Sequence, residues 1–120
     1  MHQPVLYTWN LTKECLGTIR EICSPLSVPV RPVAPQEADI PLGKLGETAP
    51  APGLMAMPFQ GEMLLMAYFP DKLIDRFLAG MKAKGINVPR KAVLTPVNAA
   101  WNSRKLFDEL SREVSRQRVP

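Results

Sequence analysis

Residues 63–69 read Met-Leu-Leu-Met-Ala-Tyr-Phe. Side chains of a strand alternate between its faces, so Met63, Leu65, Ala67 and Phe69 point one way and Leu64, Met66 and Tyr68 the other. Both sets are apolar, and both faces of the sheet holding this strand must therefore be covered. That requirement puts layers above and below a sheet in a chain of 120 residues. By the scaling of surface with mass, such a chain buries about two-thirds of its unfolded surface, enough for one core, so residues 1–120 are expected to form a single domain.

The other elements follow from local chemistry. Val5 to Trp9 is rich in β-branched and aromatic residues and reads as a strand. Thr12 is a good N-cap, with Leu11 and Leu16 as a hydrophobic staple. Cys15, Leu16, Ile19, Ile22, Cys23 and Leu26 then recur at helical spacing, which predicts a first helix of about 13 residues ending near Ser24-Pro25. In Val28 to Val33, Pro29 and Pro32 cannot donate to a ladder, so this is an edge strand or extended segment.

Residues 34–61 carry no period and many prolines and glycines. Ile40 to Leu45 is apolar enough to dock, whereas Glu47 to Pro52 reads as a mobile tip. Asp71 is expected to cap a second helix with a stripe of Leu73, Ile74, Phe77, Leu78 and Met81, stopped by Gly85. Lys91 to Thr95 is a short strand ended by Pro96. Asn102 or Ser103 opens a last helix through residue 118 on Leu106, Phe107, Leu110 and Val114, with Asp108 and Arg112 spaced as an i, i+4 pair.

The order is the split βαβ pattern, so the expected class is α+β: a ferredoxin-like βαββαβ sandwich with an added C-terminal helix (102–118) and a long proline-rich loop (34–61). In it the first and third strands are central and two helices cover one face. The other face is to be closed by the C-terminal helix, the proline-rich segment or a second subunit, the last giving a homo-oligomer.

Composition excludes several functions. The single histidine, His2, leaves no Ser-His-Asp triad, Cys-His pair or multi-histidine metal centre to build. No apolar run approaches the roughly 20 residues of a membrane helix, and the first residues lack a secretion signal, so a cytoplasmic protein without membrane partner is expected. Cys15 and Cys23 would lie roughly 12 Å apart along a helix, too far to bridge. The net charge of +4 belongs entirely to residues 90–120, because residues 1–89 balance eight bases against eight acids.

Several fragments invite chemistry. Leu6 to Thr12 resembles the first-strand motif of RNA-recognition domains, but the third strand lacks the alternating aromatics of the partner motif. Gly43-Lys44-Leu45-Gly46 fits the GxxG loop of KH domains without the flanking apolar helices. Met55, Met57, Met63 and Met66 suggest Cu(I) only by composition; Met63 and Met66 face opposite ways, and no metal site is expected. The most distinctive stretch is Lys91-Ala-Val-Leu-Thr-Pro-Val-Asn-Ala-Ala-Trp101, where Thr95, Asn98 and Trp101 are the candidate ligand-binding residues. A bound ligand is expected between Thr95 to Trp101 and Pro41-Leu42-Gly43.

That stretch resembles the Lys-Ala-Val-Leu-Thr-Pro-x-Asn-x-x-Trp signature of a family of small, functionally uncharacterised bacterial proteins. The preceding helix, the Pro41-Leu42-Gly43 turn and the N-terminal strand and helix are similar too. The methionine-rich third strand and the longer proline-rich run depart from it. The resemblance implies a fold and brings no activity.

The functional reading is a non-enzymatic regulatory module binding a protein partner, a second copy or a small ligand, with no cofactor and no catalytic residue. The alternative is a nucleic-acid (RNA) binder using Arg90, Lys91, Arg112, Arg116 and Arg118. A further alternative, an enzyme of unknown class, would rest on Glu14, Asp39 or Glu62, which no spacing pairs.

Overall fold

The computed structural model describes residues 2–50, 52–53 and 56–117, the side chains of residues 116 and 117 excepted. The β-branched and aromatic run Val5–Trp9 forms β1, antiparallel to β3 (Met63–Ala67), with Val5 opposite Ala67, Tyr7 opposite Leu65 and Trp9 opposite Met63. β2 (Val30–Pro32) runs parallel to β1, and β4 (Lys91–Val93) runs parallel to β3. Among the described residues the α-helices are α1 (Lys13–Cys23), α2 (Asp71–Ala83) and α3 (Ser103–Gln117).

The sheet order is β2-β1-β3-β4. The α+β class and the central places of β1 and β3 agree with the sequence, but the ferredoxin-like order does not. In a split βαβ unit, β3 separates β2 from β1 and a hairpin joins β2 to β3; here β2 lies directly beside β1. Hairpin loops have about 2–5 residues, whereas residues 33–62 stand between β2 and β3. A connection this long leaves the edge at β2, crosses one face of β1 and enters on its far side. β2 is the edge strand its prolines require, with Leu6 N donating to Pro29 O and Val33 N to Thr8 O. By alternation Pro32, which has no N–H, faces away from the ladder.

Each face of the sheet has its own cover. Leu6, Leu64 and Met66 pack against Ile19, Ile22 and Cys23 of α1 and Phe77 and Met81 of α2. On the other face Tyr7, Trp9, Met63, Leu65 and Ala67 meet Ile40, Leu42, Leu45 and Phe59 of the proline-rich segment and Leu106 and Leu110 of α3. The cover expected from the helix, the segment or a second subunit thus comes from the first two. Leu64 and Leu65 are both fully buried, each contributing about 1.5–3 kcal/mol from its side chain.

Caps explain most boundaries. Thr12 Oγ1 accepts from Cys15 N at 3.1 Å, and Asn102 Oδ1 accepts from Lys105 N at 2.9 Å. Asp71 is not a cap; Pro70 holds that position and Asp71 opens the first turn. β3 stops at Ala67, short of the expected Phe69, because Tyr68 turns into the left-handed region at φ 63°. In α3, Asp108 pairs with Arg104 at 3.2 Å and Arg112 with Glu109 at 2.6 Å, replacing the expected Asp108–Arg112 pair. Cys15 and Cys23 are free thiols. Burial pushes the Cys23 thiol up to about 11.

The two βαβ units trace the same path. Leu6 N bonds Pro29 O at 3.0 Å as Leu64 N bonds Arg90 O at 2.9 Å, and Val33 N bonds Thr8 O at 2.8 Å as Leu94 N bonds Met66 O at 3.0 Å. Each inner strand ends in a left-handed residue, Asn10 (φ 61°) and Tyr68 (φ 63°), followed by the N-caps Thr12 and Pro70. Each helix closes through a second left-handed residue, Ser27 (φ 58°) or Gly85 (φ 70°). The same bond follows, Val28 N to Cys23 O and Ile86 N to Met81 O. The spacing between counterparts is constant up to Val28 and Ile86, after which the second unit inserts Asn87 to Pro89. The β1–β3 register, centred on Tyr7 opposite Leu65, puts a pseudo-two-fold axis between them.

Candidate ligand-binding crevice

Beyond β4, Leu94 N still donates to Met66 O, and the chain then turns at Thr95-Pro96. Asn98, 7 % exposed, locks the turn. Its Oδ1 accepts from Thr95 N at 2.8 Å, its Nδ2 donates to Val93 O at 3.0 Å, and its backbone N donates to Thr95 Oγ1 at 3.1 Å. Both polar atoms of the Asn98 side chain are therefore spent on the backbone, which is why a short amide stands here. The first unit builds the same turn differently. Ala34 N donates to Glu37 Oε1 at 3.1 Å, and because a carboxylate only accepts, Arg31 Nη2 donates to Glu37 Oε2 at 2.6 Å.

The Thr95 turn meets the segment after Pro41. Gly43 lies so close that a Cβ on it would stand 3.1 Å from Ala99 Cβ, and Leu42 N donates to Trp101 O at 2.8 Å. Between these parts and the end of β3 lies a crevice of about 420 Å3. Tyr68, Phe69, Val93 and Leu94 wall one side; Gly43, Thr95, Pro96 and Ala99 wall the other. It sits at the carboxyl ends of a parallel strand pair, where open α/β sheets hold ligands. The Thr95 hydroxyl, an acceptor from Asn98 N, keeps its proton to donate, and His2 stacks on the Tyr68 ring at 4.2 Å between centroids and 8°.

Of the three residues singled out in the sequence, Thr95 lines the crevice, Asn98 holds the turn from behind, and Trp101 packs toward α3 with Lys105 Nζ 5.6 Å from its ring centre. Tyr68 and Phe69 were missed: in the sequence they read as two more residues of the strand, and only the left-handed turn at Tyr68 carries them to the rim.

A second hollow of about 500 Å3 lies between the Ala34 to Glu37 turn and residues 46–50. Its buried carboxylate, Glu37, is committed to the turn and to Arg31, whose guanidinium also stands 5.7 Å from the Tyr7 ring centre. The Tyr7 hydroxyl, donating to Leu45 O at 3.1 Å, is raised above its ordinary pKa by burial, with Arg31 opposing.

Three of the five basic residues of the nucleic-acid reading, Arg90, Lys91 and Arg112, have partners within the fold. Arg90 Nε donates to Ser111 Oγ at 2.8 Å and its guanidinium lies 4.7 Å over the Phe107 ring. Lys91 Nζ donates to Val88 O at 3.2 Å, and Arg112 pairs with Glu109. The Arg116 side chain and Arg118 lie outside the described residues.

No curated protein and no solved structure matches the chain. Residues 62–115, which hold β3, α2, β4, the Thr95–Asn98 turn and most of α3, match the family described as a domain of unknown function, DUF3783.

Proposed function

We propose that the chain is a non-enzymatic binding module that seats an apolar group in the crevice between Tyr68, Gly43 and Thr95. The observation that carries this is the chemistry of the walls. They are apolar but for the Tyr68 and Thr95 hydroxyls, and the nearby amide that could have reacted or coordinated is bound to backbone on every polar atom. A pocket of this size and make-up, with one or two polar handles, grips a ligand without transforming it. Because the chain's own segments close both faces of the sheet, a partner is bound for its own sake and not to complete the core. We read Lys91 to Trp101 as the signature of a bacterial family, its role being to form this turn, and the module as a single cytoplasmic domain; among the described residues no helix is long and apolar enough to cross a membrane.

Indole titrated into the labelled chain tests the reading. Amide shifts concentrated at Tyr68, Leu94, Thr95 and Ala99 are expected, and their loss in Thr95→Trp, which puts a bulky side chain at an exposed position of the crevice wall. Shifts absent or scattered over the surface would overturn it.

A further inference from the structure

Each half of the molecule crosses the other's turn with the residues that lead into its own inner strand. The segment entering β3 lies on Asn10, the left-handed residue after β1. Asn10 Nδ2 donates to Phe59 O and to Gly61 O, both at 3.0 Å, and Arg104 Nη1 donates to Pro58 O at 3.2 Å. At the spacing that relates Asn10 to Tyr68, Gln60 corresponds to His2. The segment entering β1 lies in turn on Tyr68, the left-handed residue after β3, where the His2 ring stacks at 4.2 Å between centroids with 8° between the planes.

The two straps differ in strength and in what they touch. The first is fixed by three hydrogen bonds and by the buried Phe59 ring, stacked on Phe107 at 4.2 Å. The second rests on the ring stack and on Glu47, whose Oε1 stands 3.8 Å from His2 Nδ1 with both side chains about half exposed. This lighter strap bears on the crevice, because Tyr68 forms part of its wall. A half-buried ring turns about its side-chain bonds unless something packs on it, and a parallel ring on one face holds it.

His2 is the chain's single histidine, and imidazole is the side chain that changes charge between about pH 5 and 8. The groups that face it are the Tyr68 phenol, from the turn after β3, and the Glu47 carboxylate, from the proline-rich segment. A proton on the imidazole adds attraction to both, to Glu47 as an ion pair and to Tyr68 through the negative face of its ring. Among the described residues, the crevice walls themselves carry no acid, lysine, arginine or histidine.

We propose that His2 is a positioning residue for the crevice, a proton-sensitive brace that holds the Tyr68 wall in place and tightens the grip on an apolar ligand as pH falls. This rests on the binding reading above and names its regulation.

The test titrates indole into the labelled full chain at about pH 7.2 and about pH 5.5, in the wild type, His2→Ala, His2→Phe and Glu47→Gln, all changes at exposed positions. The wild type is expected to bind about threefold more tightly at the lower pH, the worth of an exposed ion pair. His2→Ala should bind about fivefold more weakly than the wild type at the higher pH and lose the pH response. His2→Phe keeps the stack without the charge, so it should retain the wild-type affinity of the higher pH at both. Glu47→Gln should keep the affinity and shrink the response. Equal affinity in His2→Ala and the wild type, a wild type without pH response, or a response that survives in His2→Phe overturns the brace and leaves the binding reading standing. Indole silent at the crevice in every variant overturns both.

Discussion

The two βαβ units share a backbone and almost no side chains, and the contrast separates what the fold requires from what is free to vary. Counterparts are as unlike as Trp9 and Ala67 or Asn10 and Tyr68; Leu6 with Leu64, Pro35 with Pro96 and Ala38 with Ala99 are the identities around the strands and turns. What persists is physical: two left-handed residues per unit, a helix cap between them, and a one-turn stop held by a buried polar side chain. One turn uses a neutral amide that satisfies donor and acceptor alone; the other uses an acid that needs an arginine. Beside one turn Asn10 holds the carbonyls of Phe59 and Gly61, and beside the other Tyr68 carries the His2 ring.

If the units are equivalent, truncating matched core positions must cost the same. Leu6→Ala and Leu64→Ala, both fully buried against the α1–α2 layer, are each expected to lose about 3 kcal/mol in urea unfolding. Values differing by more than about 1 kcal/mol would break the equivalence at its centre.

Alkaline unfolding exposes a difference. Below about pH 7.5 the Cys23 thiol is neutral in both states and contributes no slope. Above that the unfolded chain ionises, while burial keeps the folded thiol protonated up to about 11. Stability should therefore fall by about 2 kcal/mol as pH rises from 9 to 11. Cys15 and Tyr7, both raised chiefly by burial, add loss in the same direction. The counterpart of Cys23 is Met81, so Cys23→Met should flatten that part of the slope; an unchanged slope would place the effect elsewhere.

The turns give the next contrast. Asn98→Glu copies the first unit's acid without its arginine, because Ala92 stands where Arg31 stands. It leaves Val93 O without its donor and should cost about 2 kcal/mol. Adding Ala92→Arg should recover about 1 kcal/mol, read by the same unfolding curves. No recovery would mean that the turns are built on different principles.

The smallest effect is at the helix stops. Ser27, at φ 58°, does without the glycine that Gly85 supplies at φ 70°, so Ser27→Gly should gain up to about 1 kcal/mol and Gly85→Ala should lose about as much. A thermal melt resolves both signs.

Much of this architecture is legible in the sequence. Thr12 and Asn102 announced their helices, the double apolar face of Met63 to Ala67 demanded two covers, and Pro29 and Pro32 put β2 at an edge. Its neighbour was not legible from the pattern of elements, which serves either order. The usable signal was the length of the β2–β3 connection, too long for a hairpin. The duplication was hidden because backbone signs, positive φ and capping geometry, are conserved between units while side chains are not. At the candidate site, the sequence singles out Thr95, Asn98 and Trp101 together as ligand-binding residues; Thr95 lines the crevice, whereas Asn98 holds the turn and Trp101 packs toward α3. Gly43 belongs to the segment expected opposite Thr95 to Trp101, whereas Tyr68 reaches the rim only through its left-handed turn, which no local period shows.

Each unit is an unsplit βαβ with its second strand beside its first. Backbone NOEs in the labelled full chain test it most directly. Matching cross-strand sets are predicted, Leu6 with Val30 and Tyr7 with Arg31 in the first unit, Leu64 with Lys91 and Leu65 with Ala92 in the second. NOEs joining Val30 or Arg31 to β3 in place of β1 would restore the ferredoxin-like order and contradict it.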